Sequence, residues 1–453
     1  MMIAAQVPSN PVVGVLVALV LFGLGRSIIH WVARAEQNPW LVRILTWSLI
    51  LHLLCAPAQI VVVDHVYHGI ADYTRYTDQG VGVASNFHHL DFTTAGTKVG
   101  KIVNDGSVSI ATGIVMTIVG PDELAAFLVF AFLSFLAGVL YYRAFTLTFE
   151  GAGHRRYGYF IFLFPSILFW TGDSSKEAIM FVALSLCAYG TAKVFRRRRG
   201  GFTLLAPGVL LGVLVRPNEL VLLLGGFAVA TTVVLVGGHG SSIARRIAGF
   251  AAAGVFLIFS LYLTQHYLVK AGSLTGQLQA SYAANTLTAY GGASGGIPYS
   301  SSPVTFPRDV YEVLFNPLPY NAHDSSELIG AAENTLLLVL ILKSLRQLRI
   351  VIRASFARPY VMLCLIYSAG FFYTGAALGN LGLIERERVL LLPFFLVLLS
   401  IPRGPKESPP AYEWELKRKD RQRFRSVFDR TGGRVPTPLI PFSDSSKSRR
   451  KLR

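Results

Sequence analysis

Apolar residues run along this chain in blocks rather than as one face of a repeating pattern. The blocks are roughly 14 to 20 residues long, the length scale of a helix that crosses a bilayer. They lie at 11–25, 44–63, 124–141, 157–170, 178–194, 202–215, 220–236, 247–263, 335–342 with its flanks, 360–378 and 389–401. The pattern predicts an all-α, polytopic transmembrane bundle of about eleven spans. Two long polar segments separate the blocks, at 64–120 and 264–333. Within the first, 107–120 is mildly apolar but too short to span, and is expected to lie along the surface. Pro121, Asp122 and Glu123 then open the next helix, with proline at its start and acids facing its dipole.

Composition agrees with the block pattern. Hydrophobic residues make up 52% of the 453 and charged residues only 15%, against about 25% charged in a soluble domain. Mean hydropathy is +0.49. The net charge of +17 resembles a nucleic-acid signal, but its distribution excludes that reading. From Arg403 to the C-terminus there are 15 Lys or Arg, and most others occupy short loops. Placing the 26–43 loop in the cytoplasm and alternating from there puts 33 basic residues inside and 9 outside, the asymmetry that orients membrane proteins. The N-terminus then falls outside and the C-terminus inside. Arg outnumbers Lys 31 to 11, as in GC-rich bacterial coding, so a bacterial plasma membrane is expected. Residues 1–401 read as the membrane domain and 402–453 as a basic, disordered cytoplasmic tail, with 413–425 expected as a short basic helix on anionic lipid. Cys55, Cys187 and Cys364 all sit in apolar runs, and no disulfide framework, metal motif or cofactor motif is identified.

Candidate chemistry lies on the outward side. If 72–80 is helical, Asp72, Arg75, Tyr76 and Gln79 share one face. A carboxylate there, flanked by aromatics and a base, is a general-base candidate. Read as an ordinary loop, Asp72 would pair with Arg75 instead. Asp64, Asp78 and Asp91 are alternatives for the base. His88 and His89 are adjacent and point apart, which suits a polar loop better than a metal site. The block at 157–170 gives only about 21 Å of helix against a core of about 30 Å. The turn after it is therefore expected below the outer surface, carrying Asp173, Lys176 and Glu177 into a cavity. Arg216 before Pro217 and Glu219, Pro317-Leu318-Pro319 with Glu333, and Arg386 with Arg388 complete the set. Arg386 and Arg388 run against the outward charge trend. Arginine is the preferred phosphate partner through its planar fork, although neutralisation by Glu385 and Glu387 is the plainer reading. The two arginines fall on different helix faces, so one is expected at a ligand and the other in a structural role.

In this order and spacing the segments resemble the GT-C superfamily of polyprenyl-phosphate-dependent glycosyltransferases, and more narrowly the bacterial mannosyl- and arabinosyltransferase-like membrane proteins. The resemblance covers most of residues 60–400. It departs in two respects: the acidic loop follows the second span rather than the first, as if one helix were added in front, and its acidic motif is not an Asp-Glu or Asp-Asp pair. The resemblance implies sugar transfer from a polyprenyl-phosphate donor to an envelope glycan, lipid or protein, with inversion. Asp72 would be the base, and Arg386, Arg388, Arg216, Lys176, Tyr76 and Glu333 would bind substrate or phosphate. A surface-polysaccharide polymerase or ligase using a diphosphate-linked donor, and a lipid or solute transporter, are the alternatives.

Overall fold

The computed structural model describes residues 9–36, 38–65, 72–92, 104–149, 153–237, 303–322 and 325–402, with short pieces at 7 and 282–283. The chain divides into two units, 1–407 and 408–453, and every described residue lies in the first. The block at 247–263, most of the second polar segment and the basic tail fall outside the described residues.

Among the described residues the protein is all-helical. In chain order the helices are α1 (Pro11–Glu36), α2 (Pro39–His65), α3 (Asp72–His88), α4 (Asp105–Val119), α5 (Glu123–Thr148), α6 (His154–Leu163), α7 (Pro165–Trp170) and α8 (Lys176–Phe195). Then follow α9 (Gly201–Val215), α10 (Pro217–Gly237), α11 (Phe306–Phe315), α12 (Ser325–Lys343), α13 (Leu345–Ala357), α14 (Pro359–Gly375) and α15 (Leu381–Leu399). Five helices are long and apolar enough to cross a membrane: Pro11–Arg34, Pro39–His65, Glu123–Thr148, Lys176–Phe195 and Pro359–Leu378. The bent pair α12–α13, kinked by 69°, makes a sixth if taken as one span. This is the architecture a multi-pass membrane protein requires; among the described residues, which hold ten of the eleven apolar blocks, fewer helices reach full spanning length than those blocks predict.

The shortfall has local causes. The 157–170 block breaks at Phe164, which is extended (φ −71°, ψ 125°) ahead of Pro165, because the residue before proline disfavours the helical region. In α15 the apolar stretch begins only after Glu385, Arg386, Glu387 and Arg388. Helices α9 and α10 are separated at Arg216 by Pro217, which opens α10. The first block, by contrast, continues through Arg26, whose guanidinium donates to Thr46 Oγ1 on α2 at 2.6 Å.

Helix α5 lies at the centre of the bundle, with 18 of its 26 residues buried and none exposed. Its start follows the sequence: Asp122 caps it, accepting from Ala125 N at 2.7 Å. Peripheral α1 leaves Val12, Val15, Leu16, Leu19 and Val20 exposed, an apolar face that lipid rather than water would cover.

The loops sort to two ends of the bundle. At one end Arg196 Nε donates to the Leu147 carbonyl at 3.0 Å, Arg156 reaches Ser344 Oγ, and Arg358 stacks 4.6 Å from the Phe149 ring. At the other end the first polar segment folds as two packed helices rather than a loop. Gly80 on α3 and Gly113 on α4 sit where the backbones meet: a Cβ on Gly113 would stand 2.5 Å from Val83 Cβ and 3.0 Å from the Gly80 carbonyl. Glycine at both positions lets α3 and α4 approach closely, and that contact sets where Asp72 and Asp105 point.

Candidate functional site

Asp72, Lys176, Arg216 and Arg386 meet at the α3–α4 end of the bundle. Asp72 opens α3, Lys176 opens α8, Arg216 occupies the gap between α9 and α10, and Arg386 lies in the second turn of α15. Asp72, Arg386 and Arg216 are joined by a chain of alternating charges. Arg386 Nη2 donates to Asp72 Oδ2 at 2.9 Å, and its Nε donates to Glu177 Oε1 at 2.9 Å. Arg216 Nη2 donates to the same Glu177 oxygen at 2.6 Å, while its Nη1 pairs with Glu387 Oε1 at 2.6 Å. The side chains of Glu177 and Arg216 are nearly or fully buried; that of Asp72 is half exposed, and Arg386 lies between. The chain therefore runs from solvent into the bundle.

A second cluster adjoins the first. Asp105, in the first turn of α4, pairs with Lys176 Nζ at 2.5 Å and with Arg75 Nη2 at 2.7 Å, and accepts from the Tyr76 hydroxyl at 3.1 Å. Gln79 accepts from Ser109 Oγ at 2.6 Å. The face predicted for Asp72, Arg75, Tyr76 and Gln79 is thus the one that meets α4 and α15. Partial burial raises the Asp105 carboxyl, but Lys176, Arg75 and Tyr76 outweigh it and hold the group below the usual carboxylate range. Tyr76 moves the other way: burial, Asp105 and Asp72 push its hydroxyl up, against Arg75.

The local backbone explains the sign of the site. Asp72, Asp105 and Glu177 each lie in the first turn of a helix, where unpaired N–H groups and the helix dipole favour negative charge. Helix α8 is capped by Ser175, and α15 by Asn380, whose side chain accepts from Leu383 N at 3.3 Å. Four helix N-termini therefore converge here, adding positive potential to that of Arg216, Arg386 and Lys176.

The turn between α7 and α8 is drawn into the bundle, with Thr171, Asp173, Ser174 and Ser175 all buried. Asp173 Oδ1 and Ser174 Oγ have no hydrogen-bond partner among the described residues. Burial is the main reason that Asp173 is raised to about 7; Glu177 adds to the rise, while a Ser175 hydrogen bond and Arg386 oppose it. The native state therefore holds a proton that the unfolded chain releases between pH 3.8 and 7, so stability falls as pH rises through that window. Asp173→Asn keeps the group neutral. Its melting temperature is expected to overtake that of the wild type increasingly from about pH 4 to 7 and to level off above, by an amount equivalent to roughly a few kcal/mol. A gap that does not change with pH would contradict this.

The remaining predicted residues form a separate, deeper arrangement. Arg388 is 1% exposed and faces away from Arg386. It donates to Glu333 Oε1 at 2.9 Å, to Asn334 Oδ1 at 2.5 Å, and to the Val313 and Leu314 carbonyls at 3.3 Å each. Asn334 in turn donates to the Pro317 carbonyl at 2.8 Å. Arg388 and Glu333 thus join α15 to α12 and to the end of α11, with Pro317 alongside. Elsewhere in the first polar segment, Asp64 ends α2, Asp78 is half-buried in mid-α3, and Asp91 is exposed beyond it. Adjacent His88 and His89 bond separately, to the carbonyls of Thr117 and Ser85. Among the described residues no group of three His, Cys, Asp or Glu side chains is arranged to hold a metal.

Sequence reasoning passed over Asp105 and assigned Glu387 only to self-neutralisation. Asp105 carried a signal, since it opens the mildly apolar stretch that becomes α4. Glu387 carried none, because its pairing with Arg216 spans 171 positions of sequence. Searches against protein-family models, functionally characterised proteins and solved structures find no match for this chain.

Proposed function

We propose that this chain is an integral-membrane glycosyltransferase that moves a sugar from a polyprenyl-phosphate donor to an acceptor hydroxyl on the extracytoplasmic face of a bacterial plasma membrane, in the manner of the GT-C superfamily. The observation that supports it is the gathering of Asp72, Lys176, Arg216 and Arg386, from four separated parts of the chain, where helix N-termini converge. The same reading takes the shorter apolar helices as spans that complete a bundle of about eleven, with the tail inside.

In this mechanism the donor phosphate competes with Asp72 for the Arg386 fork. As the phosphate takes Nη2, the Asp72 carboxylate is released toward solvent and becomes free to accept a proton. The acceptor O–H then attacks the anomeric carbon, its proton passing to Asp72. The bond from that carbon to the phosphate oxygen breaks, and the lipid phosphate leaves with the electron pair. Arg386, supported by Lys176 and the helix N-termini, stabilises the growing phosphate charge. One displacement inverts the anomeric centre. Arg216 and Glu177 hold Arg386 in place rather than touching substrate. Arg388 and Glu333, placed on the substrate side by the resemblance, are assigned to holding α15.

The break between α6 and α7 favours a transporter as the second reading, because interrupted helices mark many transporter sites. The two differ in one product: a transferase releases polyprenyl phosphate, whereas a transporter leaves the lipid–sugar bond intact. Topology is tested with single cysteines in a background where Cys55, Cys187 and Cys364 are replaced. A membrane-impermeant reagent on intact cells is expected to label Ser85→Cys, on α3, and to leave Ala357→Cys unlabelled until the cells are opened. The reverse pattern places the site in the cytoplasm and removes the extracytoplasmic reaction.

A further inference from the structure

Helix α13 divides into three stripes. Gln347, Val351 and Ser355, spaced by four, are buried against the bundle. Leu345, Ile352 and Phe356, spaced by seven and four, fall on another side and are 46%, 67% and 66% exposed. Arg346, Arg349 and Arg353 lie beside that apolar stripe and are exposed as well. The helix contains no acidic residue. None of the three arginines, nor Lys343, makes an ion pair among the described residues.

The bend before α13 supplies a concavity. Helix α13 leaves α12 at 69°, so if α12 crosses the bilayer, α13 runs much closer to its plane. The angle opens a shallow recess of ≈ 490 Å³ lined by Leu342, Lys343, Leu345, Arg346 and Arg349. Three of its five lining residues are cationic and two are apolar. The helix belongs to the end of the bundle opposite Asp72, since Ser344 at its cap meets Arg156.

We propose that α13 and the recess at its start form a binding site for anionic phospholipid. The phosphate sits among Lys343, Arg346 and Arg349, and the acyl chains lie along Leu345, Ile352 and Phe356. Charge and apolarity together select this occupant. An exposed basic stripe alone fits any anion, but an uncovered apolar stripe next to it needs a ligand that is anionic at one end and hydrocarbon at the other. This site rests on the membrane reading and is independent of sugar transfer, which uses the other end of the bundle.

The test uses the full-length protein purified in detergent. Phosphatidylglycerol and phosphatidylcholine with identical acyl chains are titrated in turn, and retained lipid is counted by native mass spectrometry. The wild type is expected to retain phosphatidylglycerol in preference. Each basic residue near anionic lipid contributes roughly five-fold, so Arg346→Gln/Arg349→Gln/Arg353→Gln should lower that retention by on the order of a hundred-fold and leave phosphatidylcholine unchanged. The Arg→Lys triple variant, which keeps the charges, should retain the lipid and separates lost binding from lost folding. Equal retention of the two lipids by the wild type, unchanged retention by the Gln variant, or loss in the Lys variant overturns the assignment. Complete displacement by inorganic phosphate also overturns it, because the site would then read the anion without the hydrocarbon.

Discussion

Asp72→Asn is expected to abolish release of polyprenyl phosphate from a matched donor and acceptor, with a loss of about 10²–10⁴-fold, the usual cost of removing a general base. The substitution retains the side chain's shape and its hydrogen-bond acceptor toward Arg386, so the protein should fold and extract into detergent as the wild type does. Asp105→Asn is the informative companion. Asp105 faces Lys176, Arg75 and Tyr76 rather than Arg386, so its loss should weaken donor binding more than the chemical step. That appears as a raised KM with a kcat reduced far less than for Asp72→Asn. If Asp72→Asn turns over normally and Asp105→Asn does not, the base is Asp105 and the role of α3 is to position it.

The second large effect concerns stability. Arg388→Ala removes a buried guanidinium and leaves Glu333, Asn334 and the Val313 and Leu314 carbonyls without their donor. Breaking a buried pair from one side costs about 3–5 kcal/mol, because the remaining charge stays buried and uncompensated. Thermal unfolding in detergent should show that loss, and Arg388→Lys should recover little of it, since an ammonium cannot reach all four acceptors. Arg388→Ala/Glu333→Gln should regain part, as no charge is then stranded. A fully stable Arg388→Ala protein would mean that α15 is held to α11 and α12 by apolar packing alone.

The sequence made some of this arrangement readable. Helical spacing at Asp72, Arg75, Tyr76 and Gln79 revealed the contact face of α3, because a face needs only local periodicity. Segregation of basic residues between loops anticipated the two ends, one holding Arg156, Arg196 and Arg358 and the other Asp72 and Arg386. The opposite directions of Arg386 and Arg388 followed from the helical repeat. Hydropathy was less informative about lengths: an apolar block looks the same whether it is one helix or, as at Phe164–Pro165, two. Nor did it separate the polar segment 64–120 from a loop, since the buried face of α3 mixes Tyr73, Thr77, Gly80 and Ala84 rather than forming an aliphatic stripe, and its partner α4 is short. Partner identity was out of reach. Glu177 serving both Arg216 and Arg386, and Gly330 closing against Glu385 (a Cβ there would lie 1.7 Å from its Oε1), are decided by helix packing between residues far apart in the chain.

The central claim is that the Asp72–Arg386 end binds a polyprenyl phosphate. The product polyprenyl monophosphate is common to every donor of this class, so the sugar need not be known. The direct measurement is a cryo-EM structure of the full chain saturated with polyprenyl monophosphate. The phosphate is expected within hydrogen-bond distance of the Arg386 guanidinium, with the Asp72–Arg386 pair opened and the carboxylate facing the space beside it. A phosphate bound elsewhere, with Asp72 still closed on Arg386, would contradict the proposal.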